Sequence, residues 1–229
     1  MKNIFLVIIL QLYILCNVQA QINELGFTIG NNFSSHTNSD PTIPEDGQFQ
    51  WTNLNSLNVG IYSAMNLSEK WNIKSTINFQ QKGYTEFAQT GLLGGPLQTI
   101  NDNILRNRLS YITLSVFGDF ILNPKNDNIS LSAFFGLENN FLIGRTLESE
   151  MVPIIADFYP VNEYQDNWNG YHLNYNFGFR TTVNKSLGIS AFYSRSISPV
   201  LKTERLIVKD WIWGLSLDLN LLEIFKENN

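Results

Sequence analysis

The sequence of 229 residues has one cysteine, two histidines and no long apolar run after its first twenty residues. The cysteine, Cys16, lies in an N-terminal segment that we expect to be cleaved, so the mature chain has no disulfides and no thiolate ligands. The histidines, His36 and His172, are isolated and give no zinc-binding spacing. No His-x-Ser pair and no phosphate-binding loop occurs in the sequence. The sequence therefore predicts no enzyme, no metal site and no cofactor.

Basic residues are also scarce. The chain has 15 Lys and Arg against 20 Asp and Glu, a formal net charge of −5. Loss of Lys2 with the N-terminal segment leaves 14 basic residues against the same 20 acids, and a net charge of −6. Binding to nucleic-acid phosphates requires a positive surface, so we expect no nucleic-acid partner.

The N-terminus has the pattern of a secretory signal peptide over residues 1–20. Lys2 supplies the positive charge, Ile4–Leu15 is the apolar segment, and Val18-Gln19-Ala20 fits a cleavage site. We expect cleavage at the end of that site, so that residues 21–229 form a single exported domain. An uncleaved anchor is disfavoured, because the apolar segment is shorter than the roughly 20 residues of a membrane-spanning helix. Lipidation of the cysteine is disfavoured by the large leucine that precedes it.

The segment Leu57–Lys82 shows the clearest periodicity in the chain. Apolar and polar residues alternate in two runs, one on each side of the short polar link Ser68-Glu69-Lys70. Alternation with a period of two places successive side chains on opposite faces of a strand, so the segment predicts a β-hairpin. The polar face consists mainly of Asn, Gly, Ser and Thr and has few charges, which is unusual for a face in contact with water. We interpret the segment as a membrane hairpin whose apolar face contacts lipid.

Seven connections join eight runs of this kind, and their lengths alternate between long and short. The predicted strands are Ile22–Phe33, Leu57–Leu67, Trp71–Lys82, Arg108–Leu122, Ile129–Ile143, Gly170–Val183, Leu187–Ser198 and Val208–Leu222. Outer-membrane barrels have even strand numbers, short periplasmic turns and long extracellular loops, and only a closed barrel satisfies sheet edges in lipid. The sequence thus predicts an all-β fold, an eight-stranded antiparallel up-and-down transmembrane β-barrel in the cell outer membrane. The long extracellular loops are expected at Ser34–Asn55, Tyr84–Asn107, Gly144–Asn169 and Pro199–Ile207.

Aromatic residues collect near the predicted membrane edges, where rings at headgroup level form girdles. The predicted aromatic girdle includes Trp71, Tyr171, Tyr193, Trp211 and Trp213.

The main alternative is a soluble lipocalin-like barrel, whose apolar face would point inward around a ligand. Its solvated exterior should be rich in Lys and Glu, whereas the polar face here is rich in glycine and amides.

The alternation also places charged residues inside the narrow barrel. The predicted lumenal polar network is Glu24, Lys74, Lys82, Asp119, Glu138, Arg180 and Asp218. An isolated buried ion is strongly disfavoured, so these acids and bases are expected to pair and to fill the lumen. The planar fork of Arg180 makes it the expected hub, with Glu138 on the neighbouring strand as its expected partner.

Several short motifs resemble the PorT-like outer-membrane β-barrel family of Bacteroidota. The segments that are similar are Asn78–Tyr84, Tyr111–Val116, Gly136–Gly144, Gly178-Phe179 and Ala191–Ser194. The resemblance covers nearly the whole mature chain. It implies an integral outer-membrane barrel and transfers no catalytic or binding residue.

The function that follows is a non-catalytic structural, adhesive or secretion-accessory component acting through its extracellular loops. The expected partners are outer-membrane lipid and lipopolysaccharide, whose phosphates Arg195 could meet, and a protein at the loops. The barrel itself is expected to be monomeric. One alternative is a barrel enzyme acting on lipid or peptide, with His172 as its histidine; a second is the soluble ligand-binding barrel. The acidic third loop leaves two readings open, a solvated loop or a cation site.

Overall fold

The computed structural model describes residues 22–38, 49–88, 104–123, 128–149, 168–202 and 207–227. The predicted signal peptide and most of the predicted loop residues lie outside these ranges. No helix in the described ranges is long and apolar enough to cross a membrane.

Nine strands and one short helix follow one another in these ranges. They are β1 (Ile22–Asn38), β2 (Phe49–Asn66), β3 (Trp71–Ala88), β4 (Ile104–Ile121), β5 (Ile129–Ser149), β6 (Tyr171–Val183), β7 (Leu187–Ser196), β8 (Leu201–Lys202), β9 (Ile207–Asn220) and α1 (Leu221–Glu227). Neighbouring strands pair antiparallel, and β1 pairs with β9 to close the barrel. Because β8 contributes two residues that pair only with the end of β9, eight strands form the wall. The predicted eight-stranded antiparallel barrel is confirmed.

The strands extend further than the apolar alternation predicted. β1 and β2 continue into the predicted first loop, and β5 continues to Ser149, beyond the predicted end at Ile143. The ladder between β4 and β5 runs without a gap from Leu105↔Ser149 to Ile121↔Ser132, with one bulge. Backbone pairing does not require an apolar outer face. Above the lipid a strand therefore keeps its backbone hydrogen bonds to its neighbours, but its sequence no longer alternates between apolar and polar residues.

The barrel has its apolar face outside and its polar face inside. Phe135 and Phe179 on the outer face are 60% and 61% exposed, whereas Asn32 and His172 on the inner face are fully buried. This arrangement excludes the lipocalin-like alternative, which requires the opposite orientation. One side chain of the hairpin differs from the prediction. The alternation places Met65 on the face toward lipid, but its side chain is buried next to Ala64, where the β1–β2 register shifts.

Short connections close the barrel at the end that carries both termini. A tight turn joins β6 to β7 at Asn184-Lys185-Ser186, and its first two residues have φ values of 49° and 56°. Two successive residues with positive φ are typical of the type I′ turn that joins paired strands. The last strand ends at Asn220 rather than at Leu222, and α1 follows it directly.

Candidate functional site

The lumen near the terminal end of the barrel contains an ionic cluster around Arg180 of β6. Its guanidinium contacts Asp119 of β4 through Nη1 and lies 3.3 Å from Oδ2 of Asp218 on β9 through Nε. The ammonium of Lys74 on β3 lies 2.6 Å from the same Asp218 oxygen. Glu24 of β1 interacts electrostatically with both basic groups. Five strands are thus linked across the lumen, and we call this group the inner cluster.

Arg180 contacts two carboxylates, but Glu138, the partner expected from the sequence, is not one of them. Glu138 instead accepts hydrogen bonds from Asn176 Nδ2 at 2.8 Å and from Ser194 Oγ at 2.5 Å. The β5–β6 register explains the difference, because Arg180 faces Ser132, six residues below Glu138. Six residues correspond to about 20 Å along a strand, too far for a side chain to reach.

A second ionic cluster lies near the opposite end of the lumen, around Asp210 of β9. Its Oδ2 lies 3.3 Å from Nε2 of His172 on β6 and 3.7 Å from Nζ of Lys82 on β3. Lys82 also donates a hydrogen bond to Asn140 Oδ1 at 2.7 Å. His36 is the direct cross-strand neighbour of Asp210 and is buried. We call this group the outer cluster.

Sequence reasoning missed two members of the outer cluster. His36 was predicted to lie in the first loop, but it lies on β1, because β1 extends to Asn38. Asp210 was placed on the polar face of the last strand, yet it was not included among the lumenal charges. The signal that could have found it is its alternation with Trp211 and Trp213, which point outward.

Aromatic side chains cover part of the outer mouth above this cluster. Trp168 packs against an apolar group formed by Val200, Leu201 and Val208. Its ring centroid lies 5.7 Å from the His36 ring, and the Arg145 guanidinium lies 5.6 Å from the same indole ring. The contacts fix the indole over the lumen, so this part of the mouth is closed by packed rings.

A cavity of about 40 Å³ lies between the two clusters. Its wall includes Asn58, Asn78, Asn176 and Glu138, together with the inner-cluster bases and the ring of Phe192. Such a volume exceeds the roughly 10–15 Å³ that one water requires. Buried side chains of the two clusters lie on either side of the cavity, as expected for the narrow lumen of an eight-stranded barrel.

The family comparison agrees with this geometry. Residues 19–202 match the family described as outer membrane protein beta-barrel domain. The chain belongs to this family. The match covers most of the sequence, and together with the lipid-type outer face it places the protein in the outer membrane.

Several solved outer-membrane barrels are similar to this barrel in fold. Neisserial surface protein A has 9% identity and a TM-score of 0.42, with 86% of this chain and 97% of that chain covered. Ail of Yersinia pestis, solved with the heparin analogue sucrose octasulfate, has 14% identity, a TM-score of 0.38 and coverages of 87% and 100%. OprG of Pseudomonas aeruginosa has 12% identity, a TM-score of 0.39 and coverages of 89% and 100%. No curated protein matches the chain in sequence.

The predicted aromatic girdle lies on the outer surface of this outer-membrane barrel. Near the outer end, Trp213 stacks on Phe33 with ring centroids 4.2 Å apart, and Tyr171 and Tyr193 contact neighbouring rings. Trp71 lies near the terminal end, 5.0 Å from Phe120. Trp211 occupies the outward position beside Arg195 in the β7–β9 ladder.

The histidine of the enzyme alternative does not reach the surface of the outer-membrane barrel. His172 is fully buried, its Nε2 faces Asp210, and its ring lies against the edge of Tyr111 with centroids 4.9 Å apart. A lipid or peptide in the outer leaflet would have no contact with this ring. Among the described residues, no group of three or more His, Cys, Asp or Glu is arranged to hold a metal ion.

Proposed function

We propose that this protein is a non-catalytic, non-conducting component of the outer membrane that acts through its extracellular surface as a structural, adhesive or secretion-accessory element. The observation that carries the proposal is that ion pairs join different strands across the lumen near both of its ends. A solute would have to break buried ion pairs to pass, and such pairs are costly to separate.

Planar-bilayer recording tests the closed lumen. The purified barrel is inserted into planar bilayers, and a porin prepared in the same detergent serves as the positive control. We expect no steady current from this protein. A steady open-channel conductance of porin size would contradict the proposal and indicate transport instead.

The extracellular ends of the long strands support a role in contacting a protein. β5 has 21 residues and β3 and β4 have 18, whereas about 9–11 residues cross a bilayer. The additional residues form a paired wall above the lipid, which can present the loops on a rigid base.

Chemical crosslinking on whole cells tests this role. The wild type is compared with a variant in which a short glycine-serine linker replaces residues 150–167. Loss of a specific crosslinked product in the variant supports it; identical products contradict it.

Membership of the PorT-like subfamily also remains part of the proposal. The Lys82-Gly83 pair that resembles the family has two defined roles in this barrel. Lys82 joins the outer cluster, whereas Gly83 adopts a φ of 154° and exchanges two hydrogen bonds with Ser34. A secretion defect on deletion of the gene would favour the secretion-linked role over the adhesive one.

The proposal also covers removal of the signal peptide, the oligomeric state of the barrel and its contact with lipopolysaccharide. We propose that residues 1–20 are removed, that residues 21–229 form a monomeric barrel, and that lipopolysaccharide phosphates meet Arg195 on the outward face. Mass spectrometry of the purified protein is expected to give a chain that begins at Gln21. Lipopolysaccharide binding should weaken in Arg195→Gln and stay unchanged in a matched substitution at the terminal end, Lys185→Gln.

A further inference from the structure

The carboxylate of Glu138 has no basic side chain within ion-pair distance among the described residues. Both of its oxygens accept hydrogen bonds, from Asn176 Nδ2 and Ser194 Oγ, which is the pattern of an ionised carboxylate. The described lumenal bases pair elsewhere: Arg180 and Lys74 with the inner cluster, and Lys82 with Asp210. Glu138 is only 4% exposed. A buried ionised carboxylate without a counter-ion is strongly disfavoured, so a cation bound beside Glu138 would stabilise the ionised form.

The cavity between the two clusters borders this carboxylate and is lined by amide oxygens that lack partners. Oδ1 atoms of Asn58, Asn78 and Asn176 are buried and accept no hydrogen bond. The three side chains are at least nine-tenths buried.

The hydrogen-bonding pattern fixes the orientation of one of these amides, that of Asn176. Asn176 Nδ2 donates to Glu138, and Asn78 Nδ2 donates to Thr76 Oγ1 at 3.3 Å. Since a carboxylate can only accept, the Asn176 amide cannot be reversed without losing that bond. Its oxygen must therefore point away from Glu138. The cavity presents several acceptors, and the bases on its inner wall are already engaged by Asp119 and Asp218.

We propose that this cavity binds a monovalent metal cation, Na⁺ or K⁺, through the amide oxygens of Asn58, Asn78 and Asn176. Hard cations take oxygen ligands. One uncompensated carboxylate matches a single positive charge, whereas Ca²⁺ takes six to eight oxygens and usually several carboxylates. The volume of about 40 Å³ leaves room for the ion to keep water ligands.

Thermal unfolding of the purified barrel in detergent tests this site. The midpoint is measured in NaCl, KCl and choline chloride at equal ionic strength, because choline is too large for the cavity. We expect a saturable rise of about 2–4 °C in Na⁺ or K⁺, as for a ligand at several times its Kd. Glu138→Gln should abolish the difference between the salts. The control Glu148→Gln, which removes an exposed carboxylate outside the lumen, should retain it.

A direct measurement keeps the test independent of whether the variants fold. Crystals of the wild-type protein soaked in RbCl or thallium acetate should show an anomalous peak within about 3 Å of the three amide oxygens, the range of oxygen–metal contacts for large monovalent ions. Identical midpoints in all three salts, or density for water only without an anomalous peak, would overturn the proposal.

Discussion

Replacement of Arg180 by methionine should be among the most destabilising single changes in the barrel. Arg180→Met keeps much of the side-chain volume but removes the charge that holds Asp119. Among the described residues that carboxylate has no other hydrogen-bond partner, since its Oδ1 is buried without one, and it keeps only an electrostatic interaction with Lys74. Asp218 keeps Lys74 at 2.6 Å, so the loss falls mainly on Asp119.

The expected cost follows from the burial of this ion pair. The side chains of Arg180 and Asp119 are 10% and 5% exposed, so water screens the interaction only weakly. Breaking a buried pair by removing one partner costs about 3–5 kcal/mol. The double variant Arg180→Met/Asp119→Asn removes both charges and should recover about 2–3 kcal/mol of that loss, since the two sites act as one unit.

Equilibrium unfolding in guanidinium chloride, followed by tryptophan fluorescence of barrels refolded into phospholipid vesicles, measures these differences. Arg108→Met is the matched control, because its contact with Glu148 is 3.5 Å long and partly exposed. That variant should lose less than about 1 kcal/mol. Two results would refute the reasoning: a cost below 1 kcal/mol for Arg180→Met, or strict additivity in the double variant.

Three further predictions concern the lipid-facing surface, the backbone at Gly83 and the outer mouth of the lumen. Leu217→Arg places a charge on the lipid face, where Leu217 is 45% exposed, and should cost about 2–4 kcal/mol; heat-modifiable migration that stays as in the wild type would place the residue elsewhere. Gly83→Ala should cost about 1–3 kcal/mol, because φ is 154° and a Cβ would clash with the backbone carbonyl oxygen of Asn107; unfolding midpoints equal within error would argue against strain there. Trp168→Ala should open the outer mouth without producing current in planar bilayers, since the inner cluster still closes the lumen; a steady current would show that the indole is the seal.

The alternation of residues predicted the faces of the strands well, and it predicted their partners across the lumen poorly. Period two assigns Glu138 and Arg180 correctly to the inside, but it contains no information on their relative height. Height depends on the register between β5 and β6, which runs from the pairing of Ile129 with Val183 to that of Phe141 with Tyr171. Two residues on the same face can therefore lie six positions apart along adjacent strands.

The ends of the strands were difficult to predict for a related reason. Inside the lipid, a strand has one apolar and one polar face, so His172 and Tyr171 are readily assigned to opposite sides. Above the lipid both faces contact polar surroundings, and the sequence around His36 resembles a loop. Only the ladder with β9 shows that His36 faces Asp210. His36 was therefore missed because β1 continues beyond the lipid, whereas Asp210 lay on the predicted last strand but was not included among the lumenal charges.

The pairing of β1 with β9 has a consequence for how the barrel folds. It joins the two ends of the chain, from Gly26↔Asn220 to Asn38↔Val208, so it cannot form until nearly all other strands are in place. The bond from Lys74 to Asp218 likewise spans 144 residues. Contacts between distant residues slow folding, because chain entropy is lost before they form. Until closure, lumenal charges such as Lys74 would remain without their partners, so a half-closed sheet should be short-lived and the assembly should proceed in a single cooperative step.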